Sequence, residues 1–205
     1  MKIIFITREG YNLSGARVRC YNFASELKKL GLDTEVFSFG DHLSAKYGEE
    51  EFEMTLSRKI MLNILAIKKL SAEKNAIFFI QRLNYHTLAP LLVSLFRKNK
   101  MIFDCDDWNI RDDPVYYFGF YPSSKMEFLT RRFCCYSDVC IIASRFLREY
   151  FSKYARKMHY IPTGVDMELF KSTTFLTSLE GRINLLNDWV FKNRIVFGTL
   201  FVLLS

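Results

Sequence analysis

The sequence lacks several signatures that often assign a chain of this kind to a class. It contains no G-x-G-x-x-G run, so the dinucleotide-binding fingerprint is absent. Its five cysteines are odd in number and form no C-x-x-C pair, which argues against a zinc site and against a disulfide framework. The apolar tail from Ile195 is far short of the roughly 20 residues that a bilayer span needs. No internal repeat or low-complexity tract occurs.

The positive charge is spread thinly along the chain. A formal net charge of +7 and a pI of about 9.1 suggest nucleic acid, an anionic membrane surface or phosphorylated substrates as partners. The longest basic clusters, however, are doublets such as Lys68-Lys69 and Arg131-Arg132. Solvated helix faces are therefore favoured, and no nucleic-acid partner is predicted. The first apolar run begins almost at Met1 with no signal peptide before it, which predicts a cytoplasmic protein.

Short apolar runs alternate with segments of helical spacing. Six runs predict strands at residues 2–6, 33–39, 76–80, 101–103, 139–142 and 158–161. Alternating strands and helices call for parallel pairing through right-handed crossovers. The prediction is an α/β fold, a doubly wound Rossmann-like parallel sheet, over residues 1–170.

The helix after the first strand is predicted to begin at Ser14 as its N-cap and to end before Gly31. Its apolar positions recur at three- and four-residue spacing: Ala16, Cys20, Phe23, Ala24, Leu27 and Leu30. Cys20, Cys134 and Cys140 fall among apolar neighbours and are predicted to be small core residues. Two further serines are predicted to begin helices, Ser124 through a capping box with Glu127 and Ser144 as an N-cap.

A second helical pattern extends over residues 54–70 and is basic. Leu56, Ile60, Ile64 and Ile67 are predicted to face the sheet, with four basic residues on the wetter side. A basic amphipathic helix of this kind can also lie on anionic lipid, so a peripheral membrane contact remains open.

Polar residues collect where the predicted strands end. Ligands bind at the carboxyl ends of the strands in such sheets. The segments placed there are residues 7–15, 81–82, 104–108, 143–144 and 163–164, together with Arg17. They form a set suited to hydroxyl or phosphate groups, with these candidates: Ser14, Gly15, Arg17, Arg82, Asp104, Asp106, Asp107, Trp108, Ser144, Thr163 and Gly164. For Asp104 the alternative is a purely structural role, either a hydrogen bond to a neighbouring loop or a pair with Arg82. A magnesium site from the three aspartates is disfavoured, because adjacent Asp106 and Asp107 are expected to point in different directions.

Two segments carry a family resemblance. Residues 137–147, reading SDVCIIASRFL, and residues 158–166, reading MHYIPTGVD, together with Phe170, resemble the end of the N-terminal domain of family-4 glycosyltransferases. Thr163 stands where that family usually has asparagine. Glu127 matches the same pattern, and residues 14–19 resemble the glycine-containing first loop of the family. These enzymes have the GT-B fold of two Rossmann-like domains facing a cleft.

The resemblance implies transfer of a sugar from a nucleotide-sugar donor, with retention of configuration and without a metal or a further cofactor. The acceptor is then a glycan, a lipid-linked sugar or a small molecule. Gly15 and Ser14 are expected to approach the donor phosphates. Asp106 and Asp107 stand where many members have a His-Asp pair, which makes them the catalytic candidates. Arg17, Arg82, Asp104, Trp108, Glu127, Ser144, Thr163 and Gly164 are assigned to the acceptor or the cleft.

The donor-binding domain of that family is not visible in the sequence. It would carry a Glu-x7-Glu motif, and no two glutamates stand eight residues apart. Residues 171–205 are therefore predicted to be a linker and the start of a truncated donor domain, with weak or no activity. The alternatives are a non-catalytic sugar- or lipid-binding module and a nucleotide-binding regulatory domain. The expected location is the cytoplasm, including the inner face of the membrane.

Overall fold

The computed structural model describes residues 1–44, 54–107 and 124–163. The chain divides into a compact unit, Met1–Thr163, and a second unit, Gly164–Ser205. Trp108, Gly164 and the predicted segment 171–205 lie outside the described residues.

The six predicted strands are confirmed, and they form one open sheet in which every pairing is parallel. The strand order is β2-β1-β3-β4-β5-β6. The strands are β1 Lys2–Thr7, β2 Asp33–Ser38, β3 Ile77–Gln81, β4 Lys100–Cys105, β5 Val139–Ile142 and β6 Met158–Tyr160. The α/β class and the Rossmann-like parallel sheet are thus as expected from the apolar runs, because strands buried on both faces need continuous apolar sequence.

Helical segments connect the strands. A continuous helical stretch over residues 14–29, here called α1, has an α-helical start at Ser14–Ala16, a π-helical part at Arg17–Asn22 and an α-helical end at Phe23–Lys29. The other helices are α2 Phe39–Leu43, α3 Leu56–Leu70, α4 Leu88–Arg97, α5 Ser124–Tyr136 and α6 Arg145–Phe151, with a 3-10 turn at Tyr85–Thr87 before α4.

Helices cover both faces of the sheet. On one face Phe23 of α1 packs on Phe79 of β3, with ring centroids 6.3 Å apart, and Phe79 packs on Phe5. The other face carries a separate buried cluster to which helices α2 to α6 each contribute, through Phe39, Leu62, Ala89, Phe133 and Leu147. The fold is therefore doubly wound, as the alternation of elements predicts.

The C-terminal end of α1 is as predicted, whereas its first residue is not the expected cap. Gly31 has a φ of +86, and its N–H donates to Lys28 O. The N–H of Leu32 donates to Leu27 O, and the two hydrogen bonds together form a Schellman motif. Leu13, not Ser14, is the N-cap, and no side chain caps this end; Ser14 is the first helical residue and is exposed. The predicted apolar face is buried except for Leu30, which is 55% exposed.

The predicted inward face of α3 is wrong. Leu56, Ile60 and Ile64 are exposed, and the buried residues are Leu62, Asn63, Ala66 and Leu70. Asn63 explains the rotation, because its amide nitrogen donates to Lys59 O and Tyr85 O while its oxygen accepts from Ala89 N–H. Its polar groups are fully used at the junction with α4. The apolar residues of α3 are distributed almost all the way around its circumference. Hydrophobic spacing alone therefore could not identify the buried face.

The second strand ends at Ser38, one residue before the end predicted for it. Gly40 lies inside the short helix α2, which the sequence reading missed. Ser38 explains the change of structure: its hydroxyl accepts from Asp41 N–H and donates to Glu9 O. This N-cap ties the end of β2 to the loop after β1.

Candidate functional site

The strand order reverses direction between β1 and β3. From β1 the chain goes to β2 on one side, and then crosses to β3 on the other. Such a switch point leaves a crevice at the carboxyl ends of the two strands, where doubly wound proteins bind their ligands. Thr7 ends β1 and is followed by Arg8 and Glu9, and Gln81 ends β3 and is followed by Arg82. The crevice is therefore the expected position of a ligand-binding site.

Arg82 lies at the centre of a group of carboxylates beside this crevice. Its Nε donates to Asp106 Oδ1 at 2.7 Å and its Nη2 donates to Asp106 Oδ2 at 3.0 Å. The same Nη2 contacts Asp107 Oδ2 at 2.6 Å, and Nη1 lies 4.0 Å from Glu9 Oε1. We call Arg82, Glu9, Asp106 and Asp107 the Arg82 cluster. Both aspartates meet one guanidinium, so the expectation that they point apart is wrong; β4 ends at Cys105, before either of them.

The backbone at Arg82 is held in an uncommon conformation. Its φ is +55, in the left-handed region that few residues other than glycine adopt. Its N–H donates to Asp104 O at 2.9 Å, which fixes the turn to the neighbouring strand. Such conformations cost free energy and collect at functional sites. Here it directs the guanidinium towards the end of β4.

The Arg82 cluster is formally anionic. Burial alone lowers the pKa of Arg82, but the hydrogen bonds and charge of Asp106, with the charges of Asp107 and Glu9, raise it above its ordinary value. Arg8 adds a second guanidinium, 3.1 Å from Glu9 Oε1. Three carboxylates against two guanidiniums leave a formal charge of −1. This arrangement offers several hydrogen-bond acceptors to a ligand, and the Asp107 side chain is 53% exposed.

Gly15 lies against the Arg82 cluster and forms part of the crevice wall. A Cβ at this position would lie 2.9 Å from Glu9 Oε2, 3.6 Å from Gln81 Nε2 and 3.8 Å from Arg82 Nη2. The absence of a side chain therefore lets the start of α1 approach these three groups closely. Gly15 lies at the site where the sequence reading placed it, but it faces a carboxylate.

Gln81 has an amide nitrogen without a partner. Its Oε1 accepts from Thr7 Oγ1 at 2.8 Å and from Cys20 Sγ at 3.5 Å. Its Nε2 is buried, and no acceptor for it exists among the residues that the structure describes. Buried donors are almost always paired, so a lone one beside Gly15 needs an explanation. A ligand oxygen in the crevice that accepts a hydrogen bond from Gln81 Nε2 is one such explanation.

Asp104 does not line the crevice. It is fully buried, and both its oxygens bind Arg19, through Nε at 2.9 Å and through Nη2. The remaining Arg19 nitrogen, Nη1, donates to Ile161 O at 3.2 Å, beyond β6. The alternative that Asp104 pairs with Arg82 is thus wrong for the side chains, although a structural role is confirmed. Arg19, which sequence reasoning missed, links α1, β4 and the chain after β6.

Arg19 and Asp104 form a buried ion pair joined by two hydrogen bonds. Burial alone lowers the pKa of Arg19, but the charge and hydrogen bonds of Asp104 outweigh this and raise it above its ordinary value. Arg19 belongs to the π-helical part of α1, so the pair ties this part of the helix to β4. Burial also raises the pKa of the Cys20 and Cys105 thiols well above the ordinary range, so neither is a reactive nucleophile.

The other candidates have local roles that the structure makes plain. Ser144 Oγ accepts from Leu147 N–H and caps α6, as predicted. Glu127 pairs with Arg131, whose Nε donates to the Tyr150 hydroxyl at 3.0 Å and so joins α5 to α6. The remaining candidates with described positions are not part of the Arg82 cluster: Arg17, whose guanidinium lies 5.9 Å from the Tyr11 ring centre, and the exposed Ser14 and Thr163.

Neither a magnesium site nor a membrane-spanning helix is found in the described part of the chain. Asp104 is enclosed by Arg19, and Asp106 and Asp107 share Arg82, so the three aspartates do not converge on one point. Across residues 1–44, 54–107 and 124–163, no group of three metal-ligating side chains is arranged to hold an ion. No helix in these ranges is long and apolar enough to cross a bilayer.

His86 is a buried titratable group next to the crevice, and it gives a prediction for pH dependence. Its Nε2 hydrogen-bonds Gln81 O at 3.1 Å, and burial, with the charge of Arg8, lowers its pKa from 6.5 to about 3. Below pH 6.5 the unfolded chain binds a proton that the folded protein excludes, so stability falls as pH falls towards 3. Between about pH 7 and about pH 5 the expected loss is about 2 kcal/mol.

The wild type is compared with the variant His86→Gln, whose side chain keeps a donor for Gln81 O but does not titrate. Urea unfolding at both pH values gives the difference directly. The wild type should lose about 2 kcal/mol more than the variant on acidification. Equal losses in the two proteins would show that His86 takes up its proton without unfolding.

No family model and no curated protein matches the sequence. The class rests on the fold. The protein is an α/β protein with a six-stranded, all-parallel, open sheet of the Rossmann-like type.

Proposed function

We propose that this chain recognises sugar hydroxyls at the switch point of its sheet and is the acceptor-binding domain of a retaining, family-4-like glycosyltransferase with the GT-B fold. The observation that carries the proposal is the Arg82 cluster. Several carboxylate oxygens converge on one guanidinium beside Gly15, whose lack of a side chain lets the start of α1 approach Glu9 and Arg82 closely. Carboxylates and a planar guanidinium are well suited to vicinal hydroxyl groups, which both donate and accept.

The local structure also supports the family resemblance. Residues 139–142 form β5, Ser144 caps the next helix, and residues 158–160 form the last strand of the sheet. The same strand, helix start and strand are predicted from the apolar runs and from Ser144, and the two resembling segments cover them. Thr163, in the place of the usual asparagine, follows β6 and is exposed.

Asp106 and Asp107 have different parts in this proposal. Asp106 is held by two hydrogen bonds from Arg82 and its side chain is 7% exposed, so it orients the guanidinium. Asp107 shares Arg82 but is open to solvent, so it is the better candidate to accept a proton from a ligand hydroxyl. The nucleotide-sugar is a co-substrate, and no further cofactor is part of the proposal.

The geometry weighs against the donor-phosphate role of Gly15 and Ser14. Glu9 Oε2 already stands beside Gly15, and its charge would repel a diphosphate at the start of α1. A helix end contributes only about 0.3–1 kcal/mol to holding an anion near the surface. The same observation favours a second candidate function, a sugar-binding module without transferase activity.

The test is binding and transfer by the full chain with a panel of uridine- and guanosine-diphosphate sugars and free hexoses. At least one sugar should bind, and Arg82→Lys should weaken its binding by about tenfold, because lysine cannot replace a bidentate guanidinium. Arg97→Lys, on the exposed end of α4, is the matched control and should bind as the wild type does.

Three outcomes are distinguished. Transfer by the chain itself supports the glycosyltransferase and contradicts the expectation of weak or no activity. Binding that depends on Arg82 without transfer supports sugar recognition, and it is expected both of an acceptor-binding domain without its donor domain and of a binding module. If no sugar on the panel binds, or if Arg82→Lys binds as tightly as the wild type, sugar recognition by the Arg82 cluster is wrong.

A further inference from the structure

Two neighbouring helices expose large apolar side chains to solvent. On α3, Ile64 is 60% exposed, and on α4, Phe96 is 82% exposed. The exposed apolar residues of the two helices are Leu56, Ile60, Met61, Ile64, Leu65, Leu88, Leu95 and Phe96. Scattered apolar residues are normal on a surface, but a contiguous group marks an interaction site. Of these residues, Leu56, Ile60 and Ile64 were predicted to face the sheet.

The two helices form one surface. Asn63 of α3 joins them, because its side chain hydrogen-bonds Tyr85 O and Ala89 N–H at the start of α4. Both helices pack against the same buried cluster on one face of the sheet, through Leu62 and Val93 among others. We call their solvent-exposed surface the α3–α4 face.

The charge of the α3–α4 face has one sign. Neither Leu56–Leu70 nor Leu88–Arg97 contains an aspartate or a glutamate. The exposed basic residues of the two helices and of the residue that ends α4 are Arg58, Lys68, Lys69, Arg97 and Lys98. A second exposed basic group lies along residues 145–157, where Arg145, Arg148, Lys153, Arg156 and Lys157 accompany Glu149. The α3–α4 face differs because its helices place no acidic residue beside the exposed apolar side chains.

We propose that the α3–α4 face docks on the surface of a bilayer that contains anionic phospholipids. Apolar side chains enter the boundary between headgroups and acyl chains, while long basic side chains extend to the phosphates. A second copy of this chain is a poorer partner, because a two-fold interface would bring two basic faces together. Nucleic acid is poorer too, because the surface presents aliphatic side chains rather than a continuous basic patch.

The docking is interfacial, with α3 and α4 lying along the membrane plane. No helix in the described ranges can span a bilayer, so the contact depends on the exposed side chains alone. Each basic residue near an anionic surface is expected to strengthen binding by about fivefold, and salt weakens this contribution. This inference is independent of the proposed sugar site.

The test is vesicle flotation of the full chain. Vesicles of phosphatidylcholine alone are compared with an equimolar mixture of phosphatidylcholine and phosphatidylglycerol. The protein should float with the mixed vesicles and much less with the neutral ones. Arg58→Gln combined with Lys68→Gln should weaken binding by about twentyfold, because two basic charges are removed. Ile64→Glu combined with Leu95→Glu should abolish it.

The matched control is Leu30→Glu, which adds the same charge at an exposed leucine of α1 on the opposite side of the sheet. This variant should float as the wild type does, and circular dichroism should show all variants folded. Equal flotation with both kinds of vesicle, no flotation, or an unchanged Ile64→Glu/Leu95→Glu variant would overturn the proposal. So would a wild-type dimer that this double variant dissociates.

Discussion

Replacing Asp104 with asparagine should lower the free energy of unfolding by about 3–5 kcal/mol, a large part of the total for a domain of this size. The Arg19 guanidinium is 1% exposed and has its two strongest hydrogen bonds on this carboxylate. Removing the negative charge leaves a buried cation without its partner. Urea unfolding of the wild type and of Asp104→Asn gives the difference.

A second substitution separates the charge from the packing. Arg19→Met combined with Asp104→Leu removes both charges and keeps apolar volume, so it should recover most of the lost stability. The matched control is Glu26→Gln, which breaks the exposed pair with Lys29 and should change stability by less than about 0.5 kcal/mol. If Asp104→Asn is as stable as the wild type, the pair does not hold α1 against β4.

Gly15→Ala should separate ligand binding from stability. The added methyl would lie 2.9 Å from Glu9 Oε2, which is the end of a flexible side chain that can move. The fold should therefore keep its stability, or gain up to about 1 kcal/mol from the helix propensity of alanine. The methyl occupies the wall of the crevice, and sugar binding should weaken by about tenfold or more.

Gly31→Ala provides the opposite control at the other end of the same helix. Its φ is +86 and no atom lies near its Cβ position, so the only cost is the left-handed backbone. It should lose about 1–2 kcal/mol of stability and bind sugar as the wild type does. Calorimetric titration and urea unfolding of both variants complete the comparison. If Gly15→Ala binds as well as the wild type, the crevice is not where the ligand lies.

The sheet could be predicted from the sequence because its strands are buried on both faces. Runs such as residues 77–80 are uniformly apolar, and no other short structure needs that pattern. Crossover rules then fix parallel pairing and place helices on both faces. The ends of helices were predictable where one residue has a special role, as at Gly31 and Ser144.

The buried face of α3 could not be predicted, because the choice depends on a polar residue. Asn63 is buried since its amide satisfies three backbone groups at the start of α4. Hydrophobic spacing predicts that Asn63 is exposed to solvent and that Ile60 and Ile64 are buried. Only the tertiary position of α4 reverses this.

The site was predicted in part for a similar reason. Arg82 and the aspartates were placed together because they end neighbouring parallel strands. Their pairing was not predictable: Arg19 reads as an exposed helix residue, and its partner Asp104 lies 85 positions away. The left-handed backbone at Arg82 then turns that side chain towards Asp106 instead. Glu9 lies in the segment 7–15 placed at the end of the first strand, but its contact with Arg82 was not predicted, because a single glutamate after a strand carries no pattern.

The most direct test of the sugar site follows two groups in the crevice by proton–nitrogen correlation spectra. The full chain is titrated with the nucleotide-sugars and free hexoses, and the backbone amide of Gly15 and the side-chain amide of Gln81 are observed. Both signals should shift and saturate with one ligand of the panel, because the lone Gln81 donor then gains an acceptor. If these signals stay fixed while others shift, or if no signal responds to any sugar, the switch point of this sheet is not a sugar site.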